Sequence, residues 1–182
     1  MRIGKINRES TALLIIDIQE GLMPSIPHRE KIIHNANKLI KGAGILNIPV
    51  IVTEQYPKGL KNTCKEIDLP EGQQVIEKIS FSCFLKEDVI TKLESYRVKS
   101  LLIAGVESHI CVLKTALDAL EKGYEAHIAS DAIGSRTFEN KAIAIERMRQ
   151  SGAFIASTEM ILFQLMDYAK TDEFKLISTL IK

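Results

Sequence analysis

Short apolar runs alternate with helically spaced segments from one end of this chain to the other, and that alternation restricts its fold more than any other feature. Thr11 to Ile16 is a continuous apolar run of the kind buried on both faces of a parallel sheet. Residues from about Arg29 to Leu46 then place Ile32, Ile33, Ala36, Leu39, Ile40 and Ala43 on one helical face, and Pro49 forbids its continuation. The pattern predicts further strands at Val50–Thr53, Gln74–Glu77, Leu101–Ala104, Ala126–Ala129 and Ala153–Ala156. Between them lie helices at Glu87–Tyr96, from about Ser108 through Leu120, and from about Glu139 to Gln150. A C-terminal helical region is broken near Thr171-Asp172. Strands joined by helices pair in parallel, with helices packed on both faces. The expectation is one domain over residues 1–182 with a three-layer, doubly wound, Rossmann-like α/β fold and a six-stranded, mostly parallel sheet.

The 182 residues carry 24 Lys+Arg against 23 Asp+Glu, a net charge of +1. That balance gives no electrostatic reason for a nucleic acid or an acidic membrane surface as partner. No apolar run reaches the ~20 residues of a membrane span, and Met1 to Arg8 is followed by no apolar signal core. Cys64, Cys83 and Cys111 are odd in number and widely spaced, which fits a reducing compartment better than a disulfide framework. These features predict a cytoplasmic protein that acts on a small-molecule substrate.

Ligands of open parallel sheets bind beyond the carboxyl ends of the strands, where strand order reverses. Three reactive groups fall at such ends: Asp17 after Leu13-Leu-Ile-Ile16, Lys78 after Val75-Ile-Glu77, and Cys111 shortly after the run that Gly105 closes. Cys111 stands at the start of a helix, whose N–H groups and partial positive charge favour a thiolate and a nearby oxyanion. Each residue alone has a structural explanation: a turn cap, a solvated strand end, a core thiol. Together they are the parts of a thiol hydrolase. Asp17 would act as general base, Lys78 would orient it, and the backbone N–H groups of Glu107 and Cys111 would hold an oxyanion.

Gln19 either reaches a substrate amide or lies in a solvated loop. Ser82 and Phe84 are expected to wall the pocket, Phe84 as its apolar face, with Phe81 packed inside. Glu54, Gln55 and Tyr56 follow the second strand, as substrate-reading groups or as surface loop. His109, two residues from Cys111 on a helix, does not face it and is assigned to the pocket lining instead of to base catalysis. His28, His34 and His127 lack ligand spacing, so no metal is expected. Lys41-Gly-Ala-Gly44 ends a helix where a nucleotide fingerprint would join strand to helix, and no phosphate-binding loop motif occurs. No cofactor is called for.

Leu13-Leu-Ile-Ile-Asp17-Ile-Gln19, Lys78-Ile-Ser-Phe-Ser82-Cys-Phe84 and Gly105-Val-Glu-Ser-His-Ile-Cys111-Val-Leu-Lys-Thr115-Ala-Leu-Asp-Ala119 resemble the isochorismatase-like cysteine hydrolases. That family includes nicotinamidases and N-carbamoylsarcosine amidohydrolases. The resemblance continues through Ala129-Ser-Asp131-Ala132 and covers nearly the whole chain. It implies an Asp-Lys-Cys triad at Asp17, Lys78 and Cys111, a cis peptide between Val106 and Glu107, and a homo-oligomer. The apolar residues Ile161, Leu162, Leu165, Met166, Leu176, Ile177 and Leu180 are then either a contact surface or packing on their own sheet.

Two departures narrow what the resemblance implies. Nicotinamidases carry Asp-x-His-x-x-His after strand two, and the stretch Thr53 to Asn62 here holds no histidine, so nicotinamide is not the expected substrate. True isochorismatases cleave a vinyl ether and can dispense with the cysteine, so Cys111 points to an amide or related acyl group. A second class stays open: a non-catalytic or thiol-sensing protein on the same fold. A sensor needs an accessible thiolate but no adjacent base, so Asp17 with Lys78 favours hydrolysis.

Overall fold

The computed structural model describes residues 3–182. In chain order its elements are β1 (Thr11–Ile16), α1 (Arg29–Ile45), β2 (Val50–Gln55), α2 (Pro57–Leu60), β3 (Val75–Lys78), α3 (Glu87–Ser95), β4 (Ser100–Val106), α4 (Leu113–Glu121), β5 (Glu125–Gly134), α5 (Phe138–Gln150), β6 (Phe154–Ala156), α6 (Thr158–Gln164) and α7 (Asp172–Ile181). The strands form one six-stranded sheet in the order β3-β2-β1-β4-β5-β6, and every ladder is parallel. The order reverses between β1 and β4, so the crevice beyond their carboxyl ends is the binding position of such a sheet.

All six residues of β1 are buried, as its continuous apolar run requires. Alternation then divides them between two layers. Leu13 and Ile15 join Ala36, Leu39, Ile40, Ile161, Leu162 and Ile177 from α1, α6 and α7. Leu14 and Ile16 join Val89, Leu93, Ala116, Ala119, Ala144 and Met148 from α3, α4 and α5. Each fully buried Leu or Ile contributes on the order of 1.5–3 kcal/mol, so the sheet is fixed from both faces. Four of the seven C-terminal apolar residues, Ile161, Leu162, Leu165 and Ile177, are buried in this core, while Leu176 is exposed.

Three strands run two or more residues past the carboxyl ends of the pattern reading, each for a local reason. The second strand runs on to Gln55, because Glu54 and Gln55 are buried with bonded side chains where a surface loop was expected. The fourth runs through Gly105 to Val106. Gly105 has φ +132° and lies against Ile16; a Cβ there would sit 2.0 Å from the Ile16 carbonyl oxygen, so only glycine lets β4 finish beside β1. The fifth continues past Ala129 to Gly134 across a register shift, and the polar pair Ser130-Asp131 that masked it is tied to Ala156 and Thr158. The C-terminal break falls before α7, where the Thr171 side chain accepts the N–H of Phe174.

Candidate active site

Asp17 is the first residue past β1. Its φ of 54° turns the chain sharply, and its N–H still donates to Thr53 of β2 at 3.1 Å. A non-glycine residue in this left-handed region is uncommon, and Asp tolerates it better than most. The turn leaves the carboxylate at the carboxyl edge of the central strand, with no exposure to solvent. Lys78 is the last residue of β3, and its Nζ meets Asp17 Oδ2 at 2.6 Å, both side chains sealed from water. The ammonium also donates to Gln55 Oε1 at 2.9 Å and to the carbonyls of Ser80 and Phe81 at 3.2 and 3.3 Å. Asp17 Oδ1 accepts the Thr53 hydroxyl at 2.8 Å. Each carboxylate oxygen thus has a fixed donor.

Cys111 lies in a π-helical turn, Ser108–Val112, between β4 and α4. The Glu107 carbonyl accepts from Ile110 at 3.0 Å and Val112 at 3.2 Å, passing over the N–H of Cys111 between them. The Cys111 thiol lies near enough to the Asp17 carboxyl for each to shift the proton affinity of the other. The peptide between Val106 and Glu107 is cis. The Glu107 side chain turns away from this backbone to bind Arg136 Nε at 2.9 Å. Asp17, Lys78 and Cys111, separated by up to 94 positions in sequence (111 − 17), are therefore brought together at the switch point.

Burial dominates the electrostatics of the three groups. It raises the Asp17 carboxyl above its usual range, against the opposing pull of Lys78, Thr53 and Cys111. Burial lowers Lys78, but the negative charge of Asp17 and the hydrogen bond to it act against that, and the ammonium is left raised. Cys111 is raised, first by burial and then by the Asp17 charge. A helix N-terminus favours a thiolate, whereas loss of water and the facing carboxylate act the other way and favour the protonated thiol.

The surrounding residues separate into groups. Gln19 is fully buried and neither faces solvent nor is free for a substrate amide. Its Nε2 donates to the carbonyls of Gln55 and Lys61 at 3.0 and 2.6 Å, and its Oε1 accepts the Gln55 N–H at 2.7 Å. It clasps the strand that carries Gln55 to Lys78. Phe84 is buried against Tyr124, at a centroid distance of 5.3 Å, while Phe81 is 52% exposed, the reverse of the expected arrangement. Ser82 caps the short turn Cys83–Leu85 by accepting the Phe84 N–H, and that turn draws Cys83 and Phe84 inward. Tyr56 is half exposed in a left-handed conformation, its N–H on the Lys78 carbonyl at 2.9 Å. His109 Nδ1 bonds Ser135 Oγ at 3.0 Å instead of facing the thiol.

Sequence reasoning missed Thr53 and Thr115, and it named Gln55 only as a substrate-reading group or surface loop, not as a partner of Lys78. Thr115 accepts the N–H of Cys83, whose fully buried thiol lies 3.8 Å from the Thr53 hydroxyl and is pushed up to about 11 by burial. A hydroxyl or amide at the end of a buried run was the available signal for Thr53 and Gln55. Among the described residues no three His, Cys, Asp or Glu side chains converge as a metal-ligand set.

Comparison with known proteins gives concordant results. Residues 11–160 match the isochorismatase domain. The secreted isochorismatase effector Isc1 of Phytophthora sojae is 42% identical, over 100% of this chain and 89% of its own. Among solved structures, the MAR1 ribonuclease from Caenorhabditis elegans superposes with a TM-score of 0.91 at 34% identity, over 98% of this chain and 92% of that one. The YcaC gene product from Escherichia coli, described as an octameric hydrolase of unknown specificity, gives 0.89 at 25% identity, covering 100% and 91%.

Proposed function

The chain belongs to the isochorismatase family, and on that premise we propose that it hydrolyses a small-molecule amide or related C–N acyl bond through a thioester on Cys111. The carrying observation is the sealed Asp17–Lys78 pair with the Cys111 thiol set against its carboxylate. Lys78 and Asp17 side chains have no exposed surface, while Cys111 retains 5%. A nucleophile that stands in front of its base needs that order of access.

In the proposed cycle Asp17 accepts the thiol proton as the sulfur attacks the acyl carbon. Thr53 and Lys78 hold the carboxylate still, which places a base within reach of the proton at no cost in reorganisation. The N–H groups of Glu107 and Cys111 take the developing oxyanion. The tetrahedral adduct collapses, the C–N bond breaks, and the amine or ammonia leaves with the proton from Asp17. Water, deprotonated by the same carboxylate, then attacks the thioester; the C–S bond breaks, the acid leaves, and Asp17 returns the proton to the sulfur. A protonated resting thiol suits this cycle better than it suits a thiol sensor, which needs a standing thiolate.

The test is ammonia or amine release across an amide panel by wild type and Cys111→Ala, with intact-mass detection of the acyl-enzyme. Turnover in the alanine variant at the wild-type rate overturns the mechanism. RNA belongs in the panel because of the relative named a ribonuclease; cleavage of RNA that survives Cys111→Ala would favour that reading. The same proposal includes a homo-oligomer, for which the octameric YcaC relative is the support, and a cytoplasmic location, for which three unpaired cysteines are the support. No helix among the described residues is long and apolar enough to cross a membrane.

A further inference from the structure

Apart from the triad, the end of β5 and the first turns of α1 and α5 enclose a cavity of about 130 Å³. Ile32, Gly134 and the buried Ser135 line it, and its charged groups are Lys31, Lys141 and Asp131. Among the described residues neither lysine enters an ion pair. Asp131, the carboxylate of the lining, holds the N–H and hydroxyl of Thr158 on its Oδ1 at 2.8 and 2.9 Å and balances one of the two lysine charges. Burial holds Lys141 below the usual lysine range; Asp131 opposes that, and the facing charge of Lys31 adds to it.

Two ammonium groups outnumber the one carboxylate of the lining, so the cavity keeps a net positive charge that favours an anion. The local backbone favours the same charge. α1 begins at His28, which is left-handed and offers no side-chain cap, so the positive end of a 17-residue helix is uncapped by a side chain at this wall. A volume of 130 Å³ is well below the roughly 300–1,000 Å³ of a cofactor pocket. It suits one oxyanion group and no larger body.

We propose that this cavity binds a small oxyanion, a phosphate or carboxylate group, between Lys31 and Lys141 above the Ser135 hydroxyl. The assignment stands on the cavity's own lining and does not depend on the reaction proposed for Cys111. Ser135 also bonds His109, two residues before the thiol, so an occupied cavity adjoins the catalytic turn.

The test is calorimetric titration of the full chain with inorganic phosphate and, separately, with acetate, at ionic strength held constant with sodium chloride. At least one anion binds saturably, one per chain, and the preferred anion identifies the source. Lys31→Gln and Lys141→Gln each weaken it by roughly tenfold or more, the loss of a hydrogen bond to a charged group. Lys122→Gln, an exposed lysine just before the amino end of β5 and so at the opposite end of that strand, leaves it unchanged. Amide shifts of the wild-type chain locate the bound anion without any variant. No saturable heat with either anion, affinity unmoved in both cavity variants, or shifts confined to residues outside 28–32 and 131–141 would each overturn the proposal.

Discussion

Replacing Lys78 with methionine keeps the volume of the side chain and removes its charge, which strands the Asp17 carboxylate in a site with no water. Four donor contacts vanish with the ammonium: to Asp17 at 2.6 Å, Gln55 at 2.9 Å, and the Ser80 and Phe81 carbonyls at 3.2 and 3.3 Å. Both side chains of the pair are fully buried, so solvent screening offers no discount. Breaking such a pair from one side costs about 3–5 kcal/mol, which for a chain of this size is a fall in Tm of about 6–20 °C. The cost depends on pH with a definite sign. Without Lys78 the main force lowering the Asp17 carboxyl is gone, so burial raises it further and the folded variant holds a proton more tightly than the unfolded chain. Stability therefore increases as pH falls from neutrality toward the ordinary carboxylate range, where a neutral Asp17 no longer resents burial. Thermal unfolding of wild type, Lys78→Met, Asp17→Asn and the double variant at neutral and mildly acidic pH measures both quantities. The double variant loses less than the sum of the singles. A loss under about 1 kcal/mol, independent of pH and additive with Asp17→Asn, would refute the claim that these charges form one buried unit.

Thr53→Val removes the donor on Asp17 Oδ1 at 2.8 Å. That bond lowers the carboxyl, so the acid limb of the pH–activity profile moves to higher pH and kcat/KM falls about 10–100-fold; an unmoved limb would show that the hydroxyl does not tune the base. Gly105→Ala forces a Cβ to 2.0 Å from a backbone oxygen at φ +132°, and costs about 3 kcal/mol or more in denaturant unfolding. Gly152→Ala, at φ +98° with open space around it, costs about 1–2 kcal/mol by the backbone conformation alone. Gln19→Met breaks three hydrogen bonds of the Gln55 clasp, so stability drops by about 2–5 kcal/mol. A change confined to KM would restore Gln19 to substrate binding.

The layers of the fold were legible because burial leaves a period in the sequence. β1 reads as a strand from six consecutive buried residues, and α1 from the spacing of Ile32, Ala36, Leu39 and Ala43. Polar strand ends hid from the same reading. Glu54, Gln55 and Asp131 look like loop residues until the partners of their side chains are known, and those partners are up to 27 positions away. Asp17, Lys78 and Cys111 were legible because a reactive side chain directly after an apolar run is conspicuous. The roles of their neighbours were not. Gln19 reads identically whether its amide meets a ligand or a backbone, and Phe81 and Phe84 exchange places through the turn that Ser82 caps. The surroundings of the thiol were only half legible: a helix N-terminus is visible in sequence, whereas the burial and the facing carboxylate that oppose it are not.

The measurement that bears most directly on the site is the pH dependence of Cys111 alkylation in wild type and Asp17→Asn, read by peptide mass spectrometry with Cys64 and Cys83 as internal references. In wild type the Cys111 profile lies above that of an ordinary thiol, near 8.5, because burial and the Asp17 charge hold the proton on sulfur. Asp17→Asn removes that charge and acceptor while Lys78 stays. The profile moves to lower pH, and hydrolysis is lost although more thiolate is present. A Cys111 profile that is indifferent to Asp17, or an asparagine variant that hydrolyses amides at the wild-type rate, would contradict the coupling of acid, lysine and thiol on which this account rests.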